Sequence, residues 1–576
     1  MVKVELTITP EVLDVFPPPP QYGDIWNEGL VYAHQYTALM TDARSLKIHA
    51  PTATGKSRAA AFFAVSPYHL HNDMISATFA YPTNILTDQQ FENGLIDGLR
   101  ENLDYRDLGE GAWPPYHSDG MGIPYKRLKT PEGEELTVAK LTGKILADAL
   151  LDDAIRGGKA DVLEKFMDWL NQRHNFLIAS PDVLAYASHE LYGSASFYYH
   201  SGRKTRLHSL LRGRTLVLDE YHEYDSFTLI NLERLLADSD LSPKRVLLLS
   251  ATGREDFFPD IPVLHLQKNL PSPASTKVAS SSIYLTFHFE EEVPSTIASE
   301  GLSLYIHDSV VQNRLRCSQL RKEGTPVVQW DGTRKDSVKN TDLGSMYHNI
   351  MGTSAVEVGL DTAANAVITE WHPAWVSIDH IVQRIGRAGR RKSSIPSLAD
   401  VYVFDDNMKG ELSRMEGLSL TKDELSAMLY KIYQGYYKRS FNRKDYVSYY
   451  FSNEGEEELR KQHYLDPYDR LRFSFRPPGS LALFLDRTES EPYLFLYDKV
   501  LITNRYEDRP PTPDDLDFVG EGWRRFCKEL QLDIKGEDFR VIYAQKTKRD
   551  WIARPTGDIK DLKGNLRKYY VERKRG

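Results

Sequence analysis

Cysteine is nearly missing from this sequence. Across 576 residues only Cys317 and Cys527 occur, too few for a disulfide framework or a four-ligand zinc site, so a reducing compartment, the cytoplasm, is the expected setting. Long apolar runs are missing too. Nothing approaches the roughly 20 residues needed to span a bilayer, which excludes a membrane protein. Also absent is a basic surplus: the net charge of -9 rules out a uniformly cationic, nucleic-acid-coating surface. Any polyanion contact is therefore local. Lys546 to Gly576 carry 11 Lys/Arg against 4 Asp/Glu, leaving the remainder of the chain at -16. That asymmetry points to a polyanionic partner, or else to a solvated basic tail.

What is present is material for several cores. At 576 residues, two to four domains are expected. The opening MVKVELTITPEVLDVF alternates Val2, Val4, Leu6 and Ile8 with polar residues, the pattern of a half-exposed strand and not of a secretory signal. Pro17 to Pro20 follow as a stiff extended spacer, closing an N-terminal segment over 1–20. From 21 to 272, strands SLKIHA, ISATFAYP, FLIAS, TLVLDE and RVLLLSA alternate with segments of helical period, predicting a first α/β lobe with a parallel sheet. Glu101 to Lys140 read as a polar insertion loop on it. A second α/β lobe is expected over 273–409, from IYLTFHF, LSLYIHD, TPVVQWD, HNIMGTS, AVITEWH and DVYVFD. Residues 410–576, dense in Tyr and Arg, form an accessory α+β region ending in the basic tail.

The stretch KIHAPTATGKSRAAAFFAV sets an apolar strand before Thr52, Ala53, Thr54, Gly55, Lys56 and Ser57, with an alanine-rich helix after them. Strand, loop and helix in that order make a phosphate cradle: backbone N–H groups surround the phosphates, Lys56 neutralises them and the Ser57 hydroxyl ligates Mg²⁺. Ala50 stands where the pattern usually opens with glycine. Downstream, RTLVLDEYHEYD ends a buried strand in two carboxylates. Asp219 would hold Mg²⁺ through water, and Glu220 would orient and deprotonate an attacking water. Ser250 and Thr252 in RVLLLSATG, with His222, form an expected coupling set able to hydrogen-bond this acidic box.

In the second lobe, MGTSAVEVGLD supplies Thr353, Ser354, Glu357, Gly359 and Asp361. VQRIGRAGRR supplies Gln383, Arg384, Gly386, Arg387, Gly389 and Arg390. Arg387 and Arg390, three apart, are expected on one helical face as arginine fingers toward a γ-phosphate. One His-Asp dipeptide, His307-Asp308, is read as structural, since no His or Asp ligands lie near it at metal spacing.

The ordered set APTATGKS, FAYPTNILTDQQ, Leu141-Thr142-Gly143, IASPDVL, LDEYH, SAT, TSAVEVGLD and QRIGRAGR, over about Gln35 to Arg391, closely resembles superfamily 2 helicases. The resemblance implies two tandem RecA-like lobes, ATP and Mg²⁺ as cofactors, and Gln35 as the adenine-reading glutamine. It implies Gly359 and Asp361 at the nucleotide, and backbone contacts to nucleic acid from Thr83, Asn84, Thr142, Gly143, Pro181, Asp182 and Thr353. Tyr-Pro-Thr-Asn, Ser180 to Asp182 and DEYHEYD look most like the CRISPR-associated helicase of type I interference systems, and the short nuclease-free length like subtype I-D. That likeness implies 3′-to-5′ movement on single-stranded DNA of an R-loop, recruitment by an RNA-guided surveillance complex, and cutting by a separate HD-nuclease subunit. The same motifs also suit a DEAD- or DEAH-like RNA helicase, or an ATP-gated clamp that does not unwind.

Overall fold

The computed structural model describes residues 2–436 with interruptions, chiefly 51–53, 115–121, 149–158, 185–206, 252–257, 294–300, 331–342, 357–363 and 391–395, and beyond 436 only strand segments. It is an α/β chain built on two eight-stranded sheets. The first three strands, β1 (Val2–Ile8), β2 (Val12–Phe16) and β3 (Val31–Tyr32), belong elsewhere than the first lobe's sheet. Between β2 and β3, Pro20 takes the first position of a short 3-10 turn over Pro20–Ile25, where its missing N–H costs no hydrogen bond. The spacer is thus only partly extended.

The first lobe's sheet comprises β4 (Ser45–His49), β5 (Ser76–Ala80), β6 (Arg106–Trp113), β7 (Ile123–Lys129), β8 (Glu135–Leu141), β9 (His174–Ala179), β10 (Thr215–Leu218) and β11 (Arg245–Ser250). Its order is β4-β11-β10-β5-β9-β8-β7-β6, parallel up to β8 and antiparallel at the β7 and β6 edge. The expected insertion loop over Glu101 to Lys140 is therefore mostly sheet. Ile123 and Leu128 on β7 are buried in different cores, and Leu136 and Val138 on β8 are buried as well, while the Gly, Pro and charged residues around them make the stretch read as a loop. Helices cover both faces. Val217 and Leu247 enter one core and Leu216 and Leu248 the other, which explains why these strands read as unbroken apolar runs.

β12 (Ser275–Val278) pairs with β2 in a small sheet at the crossing between lobes. The second lobe's sheet then follows with β13 (Ile283–Phe289), β14 (Ser303–Ile306), β15 (Val327–Trp330), β16 (Asn349–Gly352), β17 (Ala366–Trp371), β18 (Ser397–Val403) and β19 (Ser419–Leu420), in the order β15-β16-β14-β17-β18-β13-β1-β19. Six of these strands are parallel, and β1 closes against β13 in antiparallel register, Val2 opposite Phe289 and Ile8 opposite Ile283. The chain's first strand is thus an inner strand of its second lobe, with Val4, Leu6 and Ile8 in that core. The same core takes in Leu412, Leu420, Leu425 and Leu429 from beyond Asn407. Past Tyr436 the described pieces are strands, among them the antiparallel pair Trp551–Lys560 and Leu566–Arg573 within the basic tail. Among the described residues, no helix is long and apolar enough to cross a membrane.

Candidate functional site

Adjacency of three parallel strands gathers the motifs. β4, β11 and β10 lie side by side, so the residues leaving their C-terminal ends share one edge: the phosphate loop, Ser250, and the Asp219-Glu220 pair. Ala50 N–H donates to the Ser250 carbonyl at 3.1 Å, fixing the loop's start. Helix α1 (Ala33–Met40) brings Gln35 to the loop, and helix α2 (Lys56–His71) begins at its lysine. Gln35 accepts from Tyr32 N–H at 3.1 Å, while its Nε2 donates to the carbonyls of Thr54 and Gly55 at 3.3 and 3.2 Å. Gly55 sits at φ +74°, and a Cβ there would stand 2.5 Å from Gln35 Nε2, so only glycine fits. Beside it, His34 Nε2 meets the Thr54 carbonyl at 3.1 Å; burial pushes this imidazole down to about 4, with Lys56 adding to the effect.

Lys56, buried, donates to the Ala50 carbonyl at 3.2 Å and stands 3.5 Å from Glu220 Oε1. Asp219 is 2% exposed and accepts from Glu220 N–H at 2.8 Å. Burial, and then the neighbouring Glu220 carboxylate, push Asp219 up to about 7. Burial works in the same direction on Glu220, but Lys56, His222 and Arg390 outweigh it and hold that carboxyl below its usual range. Glu220 also has φ +48°, an unusual conformation for a non-glycine residue and one that re-aims its side chain off the end of β10. Its Oε2 is buried 3.5 Å from His222 Nδ1 and accepts no hydrogen bond among the described residues.

His222 connects the box to its surroundings. Its Nδ1 is 2.8 Å from Ser250 Oγ and its Nε2 is 3.3 Å from Glu223 Oε1 and in contact with Gln383 Nε2. Gln383 lies on helix α3 (Ile378–Ala388) of the second lobe, and His380 on the same helix stands 3.8 Å from Glu223. The two lobes therefore meet at the acidic box. Arg387 is buried at the helix end. Arg390 lies past that end, so the two arginines do not share a helical face as the spacing predicts. The helix stops because Gly389 presses against β13: its carbonyl accepts from Ser281 N–H at 3.0 Å, and a Cβ would come within 3.0 Å of Ile283.

Thr83, Thr142, Pro181 and Thr353 all lie just beyond C-terminal strand ends, of β5, β8, β9 and β16. Thr83 and Thr142 hydroxyls accept from Leu86 and Ile145 N–H at 3.2 Å each, capping helices that begin with Asn84 and Gly143. Thr353 N–H donates to the Trp330 carbonyl at 3.2 Å. Ser57 follows Lys56 in the first turn of α2, half-buried. Thr52, Ala53, Asp182, Thr252, Ser354, Glu357, Gly359 and Asp361 lie outside the described residues.

Two features escape the sequence reading. Helix α4 (Lys422–Tyr436) opens with a buried lysine 3.6 Å from Glu11 and within electrostatic reach of Arg390 and Lys56. No local pattern announces a pair 411 positions apart. The second is a correction: His307-Asp308 does have acidic and histidine neighbours. Glu370 Oε1 is 2.8 Å from His307 Nδ1, and Asp308, Glu370 and His372 lie close enough to share an ion. Strand pairing of β14 with β17 brings them together. Arg384 Nη1 already stands 2.6 Å from Asp308 Oδ1, both side chains 3% exposed, so a guanidinium fills the cationic place of this cluster.

No family profile and no curated protein matches the chain. Solved structures it resembles include a DUF1998 helicase, MrfA, bound to DNA (TM-score 0.46, 16% identity, 74% of this chain and 55% of that one). The T. fusca Cas3-ADP structure gives TM-score 0.46 at 14% identity over 82% of this chain and 60% of that chain. S. cerevisiae Dbp5 bound to RNA and ADP BeF3 gives 0.37 at 13% over 69% and 91%. This chain thus spans little more than half of MrfA and Cas3, and at TM-scores below 0.5 these likenesses carry no functional weight.

Proposed function

We propose that this chain is a nucleic-acid-dependent ATPase that couples hydrolysis to movement along a strand. The observation that carries the proposal is the convergence of Lys56, Glu220 and His222 from one lobe with Gln383 and Arg390 from the other. Phosphates of the substrate ATP meet the loop's backbone N–H groups and the Lys56 ammonium. Ser57 and Asp219 would hold Mg²⁺. Their hydroxyl and carboxylate are hard oxygen donors, and Asp219 is buried beside a second carboxylate, that of Glu220. Bound there, the ion supplies charge neutralisation on the phosphates.

Glu220, kept ionised by Lys56, His222 and Arg390, has the carboxylate needed to take a proton from the attacking water. Water oxygen attacks the γ-phosphorus, its proton passes to Glu220, and the bond to the β–γ bridging oxygen breaks as ADP leaves. Arg387 and Arg390 supply the charge that meets the transferring phosphoryl group. Because Gln383 touches His222, loss of the γ-phosphate reaches the second lobe through one contact, and the cleft reopens.

Contacts to nucleic acid are assigned to Thr83, Asn84, Thr142, Gly143, Pro181 and Thr353, at or beside C-terminal strand ends, and to Asp182, next in sequence to Pro181, with backbone and sugar recognition and weak sequence preference. The motif forms FAYPTNIL, IASPDVL and DEYHEYD support a finer reading: the 3′-to-5′ helicase of a type I CRISPR system, of subtype I-D, acting on an R-loop beside a surveillance complex and a separate HD-nuclease subunit. Turnover with single-stranded DNA and with RNA tests the proposal. Lys56→Ala and Glu220→Gln should each lower stimulated ATPase by at least ~10²-fold with unchanged circular dichroism. Full turnover in either variant contradicts it.

A further inference from the structure

At the N-terminal ends of β5, β10 and β11, the side of the first lobe's sheet away from the candidate site, lies a half-open cavity of about 400 Å³ whose polar lining includes Asp73, Asn171, Ser209, Arg212, Arg214 and Lys244. Arg214 precedes β10 and is 2% exposed. Its Nε donates to Thr78 Oγ1 and its Nη1 to Asn171 Oδ1, both at 2.8 Å, and its Nη2 donates to the Ala77 carbonyl and to Asn175 Oδ1. A guanidinium has five N–H donors. Among the described residues four are taken by neutral acceptors, one on Nη1 is left over, and no carboxylate pairs with the charge. Burial pushes Arg214 down to about 9, which still leaves it cationic at neutral pH. A cation buried without a counter-charge is unfavourable until an anion joins it.

The cavity supplies further donors. Ser209 Oγ is buried there with no hydrogen-bond partner among the described residues. Arg212 is exposed on the cavity wall and makes no ion pair among the described residues, while Lys244 is tied at 2.6 Å to Asp73, the one acidic residue among the described lining. We propose that this cavity binds a small phosphorylated anion, with the Ser209 hydroxyl and the spare Arg214 N–H at its floor and Arg212 and Lys244 at its mouth. Its volume suits a small molecule better than a lone ion, and guanidinium forks match anions with several oxygens. The site is separate from the phosphate loop: at roughly 3.3 Å per residue, β10 holds Arg214 on the order of 16 Å from Asp219. It does not depend on the motor reading.

Calorimetric titration of inorganic pyrophosphate into the full chain, with the phosphate loop saturated by Mg²⁺ and AMP-PNP, tests this. One pyrophosphate per chain is expected, weakened at least ~10-fold by Arg212→Glu, an exposed change that should leave the melting temperature alone. Ser209→Val should also weaken it, without altering charge. No binding in the nucleotide-saturated chain, or unaltered affinity in both variants, overturns the site. Malonate binding as tightly as pyrophosphate overturns the phosphoryl assignment.

Discussion

Two arginines of one motif illustrate how residues of the same type divide between structure and chemistry. Arg384 is buried against Asp308, so Arg384→Met leaves a carboxylate uncompensated and should cost about 3–5 kcal/mol, read as a lowered denaturation midpoint. Arg390 faces Glu220 across the cleft, so Arg390→Ala should leave the fold intact and lower ATP turnover by roughly 10³-fold. Equal effects of both substitutions on stability would refute this division. His34 provides a pH test. Its folded pKa of about 4 lies below the ordinary 6.5, so the unfolded chain binds the extra proton. Its share of stability is therefore intact above pH 6.5 and falls by roughly 3 kcal/mol as pH drops toward 4. In His34→Gln the acid-side loss of melting temperature should be smaller; an identical pH profile would exclude this role.

At the scale of elements, β1 is the least expected component. Its alternation is plain in the sequence, but nothing local indicates that it pairs with residues 283–289. Ile8 is 0% exposed in the second lobe's core, so Ile8→Ala should cost about 2–5 kcal/mol of stability, measured by denaturant unfolding, although the residue is part of no motif. The strands flanking the motifs are legible because each is a buried parallel strand with an unbroken apolar run, as in Thr215–Leu218. Elements made by distant pairing are not: Glu11 with Lys422, Glu370 with His307, and the antiparallel β6 and β7, whose glycines and charges imitate a loop. The candidate phosphate loop and acidic box are legible because each is a contiguous stretch following a strand. The end of α3 before Arg390 is not, because Gly389 is fixed by packing on β13.

For the whole molecule, a net charge of -9 confines nucleic-acid contacts to patches, so binding should weaken steeply with salt. If some five phosphates are neutralised, single-strand affinity should drop about a hundredfold between roughly 50 and 200 mM salt. A flat salt response would contradict phosphate-dominated binding. The contact of His222 with Gln383 makes the cleft between lobes the element that nucleotide state would move. Whether that movement performs work is decided by ATP-dependent strand displacement on a duplex carrying a 3′ single-stranded overhang. The account predicts displacement by the intact chain with ATP and none by Glu220→Gln or with AMP-PNP. ATP turnover stimulated by the strand, with no displacement at any protein concentration, would contradict a motor and leave a clamp.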